Sequence, residues 1–247
     1  MYPKPLLSWH SYYGDAAASY APMCFSATAS FTAAALLLPT GLYACKLAVE
    51  CDRRYLPLAL IPCMFSIQQG FEGMEWLAIH GQQADLIRLA ALGFLTFSHG
   101  VWPLWLPLTM FVVEQRPRAK KGLLGMTLLG ALFGLSLYGP FLFSPDTFSV
   151  TAAQGSIDYQ TQLIYDRFFP RSVPRLIYLL LVAMPLWLSP LIQLRVAGGF
   201  LALSLVVAYG FYNYAFVSVW CFFAAILSSY IIFFLSSTVS KPVFEET

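Results

Sequence analysis

Charge is absent from this chain over lengths that decide its architecture. Seven predominantly apolar stretches, at roughly 27–48, 56–79, 87–113, 122–143, 173–193, 196–214 and 216–236, are separated by polar punctuation, with one long connection at 144–172. A segment of about 20 apolar residues spans a bilayer core as a helix, because only intrasegment hydrogen bonds satisfy its backbone in lipid. Charged residues make up 11% of the chain, against about 25% in an average soluble domain, and hydrophobic residues make up 59%. That balance excludes disorder as well as an ordinary soluble core. The expected fold is all-α, a polytopic membrane protein built as a seven-transmembrane-helix bundle over residues 23–247. Residues 1–22 form a polar-aromatic extension without the apolar core of a signal peptide, and Met23 is a second candidate start.

The third stretch contains "WPLWLP", so Pro103 and Pro107 predict a kink there. The sixth and seventh nearly touch, and Asn213 in "FYNYAF" is the expected turn residue. Basic residues set the expected orientation. Lys46, Arg53, Arg54, Arg116, Arg118, Lys120, Lys121, Arg195 and Lys241 fall on one side, and Lys4, Arg88, Arg167, Arg171 and Arg175 on the other. This places the N-terminus outside and the C-terminus in the cytoplasm. The small, dispersed net charge of +2 gives no reason to expect a nucleic-acid partner; the lipid bilayer is the expected one. No internal repeat stands out. The five cysteines include no CxxC pair, so neither a disulfide framework nor a zinc ribbon is expected. No hydrophobic run leads into Cys24 as a lipoprotein signal would.

One stretch resists the apolar pattern: "SIQQGFEGMEW", Ser66 to Trp76. At about 100° per residue, Gln68, Glu72 and Glu75 fall within about 60° of one another on a helix. Gln69 and Trp76 share the adjacent face, while Gly70 and Gly73 lie towards the other side, where a neighbouring helix can approach. Such a stripe belongs in the protein interior. Two carboxylates one turn apart cannot both remain ionised in a low dielectric, so a proton or a cation must offset them. Intramembrane ionisable groups are functional-site candidates by default. Against this stands an ordinary reading in which Glu75 is wet at the interface and Glu72 only anchors an interhelical network.

His99, in "FLTFSHGVWP", lies in the third stretch and is the expected partner of Glu72, although a lone helical histidine is often just a hydrogen-bonded core residue. His80 reads as interfacial, and His10 carries little weight. Ser218, Trp220 and Cys221 open the seventh stretch near Tyr209, Tyr212, Asn213 and Tyr214. Most of these aromatics fit an interfacial belt. Cys221, Glu72 and His99 are a candidate metal set by donor type, with no spacing signature behind them. In the expected topology these scarce polar groups, with Cys24, converge on the outer half of the membrane.

"MCFSATASFTAAALLLPTGLYA" (Met23 to Ala44), "RYLPLALIPCMFSIQQGFEG" (Arg54 to Gly73), "WPLWLP" and "SVWCFFAAILS" (Ser218 to Ser228) resemble an uncharacterised bacterial multi-pass membrane family whose chains begin MCFSATASF. The resemblance covers residues 23–236 and implies membrane location. A more distant similarity is to alkaline ceramidases, seven-helix zinc hydrolases, through "QGFEG" and "VSVWC". At the positions of that family's zinc-binding histidines stand Ile61, Val217 and Cys221. Neither a GxSxG elbow nor a phosphate loop is present, and the glycines of "GLLGMTLLGALFG" read as helix-packing surface.

The leading functional expectation is a buried polar site, made by Glu72, His99, Gln68, Gln69 and Glu75, that binds a proton, cation or small polar ligand for transport or sensing. An alternative is a metal-dependent membrane hydrolase acting on lipid, with a divalent metal as cofactor. A third is a structural or assembly subunit, in which the polar groups only lock helices together.

Overall fold

Ser26 caps the first helix by accepting from the Ala29 N–H at 3.2 Å, and α1 then runs from Ala27 to Cys51. The computed structural model describes residues 26–153, 155–211 and 215–239. The extension at 1–22, Cys24, and the turn assigned to Asn213 with its neighbours Tyr212 and Tyr214 lie outside the described residues.

Asp52 ends α1 in extended conformation and caps a 3-10 turn, Arg53–Tyr55, through the Arg54 N–H. A short α2 (Leu56–Ala59) leads into α3 (Ile61–His80). Next come α4 (Ala84–Leu95), a π-helical turn (Thr96–Val101) and α5 (Trp102–Val113), which together form one continuous helix, Ala84–Val113. α6 is Pro117–Phe143, α7 Ser172–Trp187, α8 Ile192–Phe211, α9 Phe216–Ser228 and α10 Tyr230–Val239.

Five of these helical runs are long and apolar enough to cross a membrane: Ala27–Cys51, Ala84–Val113, Pro117–Phe143, Ile192–Phe211 and Phe216–Thr238. They fit a multi-pass membrane protein. α3 has the same 20 residues as α8 and is not among them, because Gln68, Gln69, Glu72 and Glu75 dilute its apolar content. α7 is apolar but has 16 residues, about 24 Å at 1.5 Å per residue, short of a bilayer core of about 30 Å. The outer surface is as apolar as the sequence demands. On α6, Leu128, Leu132 and Leu135 are exposed by 59%, 66% and 69%, an arrangement suited to lipid rather than water.

Small residues set the closest helix approaches. A Cβ on Gly130 would lie 2.0 Å from the Pro103 carbonyl oxygen, and one on Gly134 would lie 2.5 Å from that of Gly100. α6 therefore packs backbone to backbone against the π-turn and α5, as the glycine spacing suggested. Gly73 likewise lies against the Phe31 ring of α1, whereas Gly70 has nothing within 4 Å.

A kink is expected from Pro103 and Pro107, and the helix changes register in the turn just before Pro103. In the π-turn, Trp102 donates to the Phe97 carbonyl, five residues back, so the Ser98 carbonyl loses its α-helical donor. The next donor in a π register would be residue 103, a proline with no N–H. The Tyr178 hydroxyl supplies the missing bond at 2.6 Å.

The all-α expectation needs one addition. Within the connection between α6 and α7, Phe148–Ala153 (β1) pairs antiparallel with Ser156–Thr161 (β2), and Gly155 takes φ 77° at the turn. Alternation makes the hairpin dock: Ile157 and Tyr159 face inward, 0% and 6% exposed, and the Tyr159 ring stacks on Phe94 of α4 at 4.7 Å.

Candidate functional site

α3 is held on two sides. Along α1, the Ser66 hydroxyl donates to the Ala34 carbonyl at 2.7 Å and Gly73 receives Phe31. On the other side lie α9 and the hairpin. The consequence is that the stripe read from helical periodicity is interior. Gln68, Gln69 and Glu75 are fully buried, and Glu72 is 2% exposed.

Each acid receives neutral donors only. Ser30 of α1 donates to Glu72 Oε2 at 3.5 Å, and Ser218 of α9 makes a short bond to Oε1. The Tyr159 hydroxyl of β2 donates to Glu75 Oε2 at 2.5 Å. Among the described residues, no basic group forms an ion pair with either carboxylate. Burial, followed by the charge of Glu75, raises the Tyr159 phenol well above its ordinary value, which keeps the hydroxyl a donor. Gln68 accepts from Trp102 Nε1 at 2.8 Å. Its own Nε2, both amide atoms of Gln69 and Glu75 Oε1 are buried without a hydrogen bond of standard geometry among the described residues, although Gln69 lies within interacting reach of Glu72 and Gln68 of Cys221. Polar atoms left unpaired in a dry interior would each cost on the order of 1–3 kcal/mol.

His99 is 8% exposed and sits in the π-turn, where its ring meets Phe141 edge-on at 5.4 Å. The expected pairing with Glu72 is not made. Nδ1 lies 3.0 Å from the hydroxyl of the preceding Ser98, while both Glu72 oxygens are taken by serines. The π-turn aims the imidazole into a different space, a cavity of about 340 Å³ beneath the hairpin that Tyr159, Tyr178, Arg171 and Cys221 also line. Tyr159 is the link between the two regions: its ring lines the cavity and its hydroxyl reaches Glu75.

Glu72, His99 and Cys221 are not brought together as a metal-binding group. Among the described residues, no three of His, Cys, Asp and Glu are grouped to hold an ion. Cys221 is a buried free thiol, 3% exposed. His80, exposed at the end of α3, has its Nδ1 2.6 Å from the Trp76 carbonyl.

Sequence reasoning missed Ser30 and Tyr159, and it named Ser218 and Arg171 only by position, without a role in the site. Ser30 and Ser218 stand in stretches quoted above but carry no spacing signal of their own. Tyr159 was findable, because "SIDYQT" alternates with period two. Arg171 joins the hairpin to the following loop, donating to the Thr161 carbonyl and to Asp166 at 2.8 Å. At the opposite end of the bundle, Arg116 clamps Glu114 at 2.7 and 3.0 Å and reaches the Leu188 carbonyl at 2.7 Å. That guanidinium holds the Glu114 carboxyl down to about 2.

No curated protein and no solved structure matches the chain, so the similarity to alkaline ceramidases gains no support. Residues 23–246 match the family of unknown function DUF6629, and the chain belongs to that family.

Proposed function

We propose that the chain crosses the membrane seven times, with α2–α3 and α7 completing the set. The N-terminus and the hairpin lie outside and the C-terminus lies in the cytoplasm of a bacterial inner membrane. Among the described residues, the bias of eight basic residues towards the end opposite the hairpin, against four at the hairpin end, supports this orientation. Within that frame, Glu72 and Glu75 form an intramembrane site that exchanges a proton for a monovalent cation, in the service of transport or sensing. The single observation that carries the reading is the pair of buried carboxylates, one turn apart, whose partners are hydroxyls and not cations. Desolvated charge without a counter-charge is too unfavourable to persist, so a proton or a cation completes the site. Glu72, the unpaired Glu75 Oε1 and the unpaired Gln69 Oε1 supply oxygen ligands of the kind hard cations take.

The test is binding of Na⁺ and K⁺ to purified protein in nanodiscs, followed by calorimetry between about pH 5 and about pH 8. A competing proton predicts affinity that rises with pH and proton release on binding. Glu72→Gln should abolish both. Affinity that is flat over that range, or unchanged in the variant, would contradict the proposal.

A further inference from the structure

The cavity beneath the hairpin does not end in a polar wall. A second cavity, of about 90 Å³, lies deeper among α3, α5, α7, α8, α9 and α10, and the two share Tyr178, Trp220 and Cys221 as lining residues. Tyr178 and Trp220 pack edge to face at 5.2 Å at this boundary. Chemistry changes sharply across it. Charged residues line the outer cavity, Arg171, Arg175 and Asp158, with His99 as a further polar group; Arg171 also pairs with Asp166 at 2.8 Å. The inner one is lined by side chains such as Phe65, Leu106, Val182, Leu186 and Phe234, with hydroxyls only from Tyr178, Ser228 and Tyr230.

From this juxtaposition we infer that the two cavities form one binding site for a single-chain amphipath with an anionic headgroup. The headgroup lies against Arg171 and Arg175, and the chain passes the Tyr178–Trp220 pair into the inner cavity. The shared head chemistry is a carboxylate or phosphate monoester. Arginine suits it because the planar guanidinium carries five donors. The contacts of Arg171 with Thr161 and Asp166 are both made by Nη2. Arg175 is held over the Phe216 and Tyr209 rings at 4.7 and 5.3 Å, which fixes its position at the cavity wall. A small inorganic anion would leave the inner cavity unexplained, and a neutral head would make no use of the guanidinium groups on the outer cavity's wall. The inference does not depend on cation exchange at Glu72 and Glu75.

The test uses dodecyl phosphate with the full chain in nanodiscs, measured by native mass spectrometry and by competition calorimetry. Saturable one-to-one binding is expected. Hexyl phosphate should bind at least about tenfold more weakly, because six methylenes no longer leave water. Arg175→Gln and Arg171→Gln should each weaken dodecyl phosphate by about tenfold or more. Inorganic phosphate that competes at the same concentration as the dodecyl ester would reduce the site to an anion pocket and overturn the inference. Dodecyltrimethylammonium or dodecylphosphocholine binding as tightly as the monoester would overturn the anionic head, and absence of saturable binding would overturn the whole. The chain-length comparison needs no substitution, so a variant that fails to fold does not spoil it.

Discussion

Replacing Tyr159 by Phe removes one oxygen from the molecule and should be felt across the bundle. The phenyl ring keeps the stack on Phe94, so the apolar contact of β2 with α4 survives. What is lost is the donor to Glu75 Oε2. Since Oε1 already lacks a partner, the variant leaves both oxygens of a fully buried carboxyl group without a protein donor. Stranding a buried acceptor costs about 1–3 kcal/mol, against less than about 0.5 kcal/mol for a surface substitution. Unfolding in mixed micelles, followed by tryptophan fluorescence, gives the number. A double-mutant cycle with Glu75→Met isolates the bond from other effects of either change. The coupling energy should be about 1–2 kcal/mol. A coupling within about 0.3 kcal/mol of zero would mean that the hydroxyl and the carboxylate do not meet, leaving the hairpin docked by its apolar contacts alone.

Other consequences are as direct. Gly130→Ala forces a Cβ onto the Pro103 carbonyl and should destabilise by about 1–3 kcal/mol, whereas Gly125→Ala, with nothing within 4 Å, should be neutral or slightly stabilising in the same unfolding assay. Tyr178→Phe leaves the Ser98 carbonyl of the π-turn without its donor and should cost about 1–3 kcal/mol, measured in the same way. Glu114 has a folded value of about 2, below its ordinary 4.5, so its clamp stabilises the fold above pH 4.5 and loses that contribution as pH falls towards 2. Glu114→Gln should therefore lower the melting temperature at neutral pH, with the gap to the parent protein closing as the acid range is entered. A constant gap would contradict the assignment.

The helices were readable because lipid imposes a simple rule on composition, and the interior face of α3 was readable because helical period fixes which side chains share a side. The partners of that face were not. Ser30 and Ser218 reach Glu72 from α1 and α9, distant in sequence, and a serine in an apolar helix looks the same whether it points to an acid or back at its own backbone. His99 was placed opposite Glu72 by charge complementarity alone. The π-turn, invisible to a 3.6-residue template, turns it towards the cavity under the hairpin instead. The hairpin escaped because its two six-residue strands lie in a connection more polar than the rest, although Ile157 and Tyr159 carry the alternation of a half-buried strand.

The account stands on protonatable carboxylates enclosed by helices in an apolar medium. A hydrophobic carbodiimide reacts with the protonated form of such groups, so its attachment, mapped by mass spectrometry on protein in nanodiscs, is the most direct measurement. Labelling should fall on Glu72 or Glu75, slow as pH rises, be slowed by the competing cation and vanish in the Glu72→Gln, Glu75→Gln double variant. An α3 peptide that stays unlabelled at every pH, or a rate indifferent to pH and cation, would contradict it.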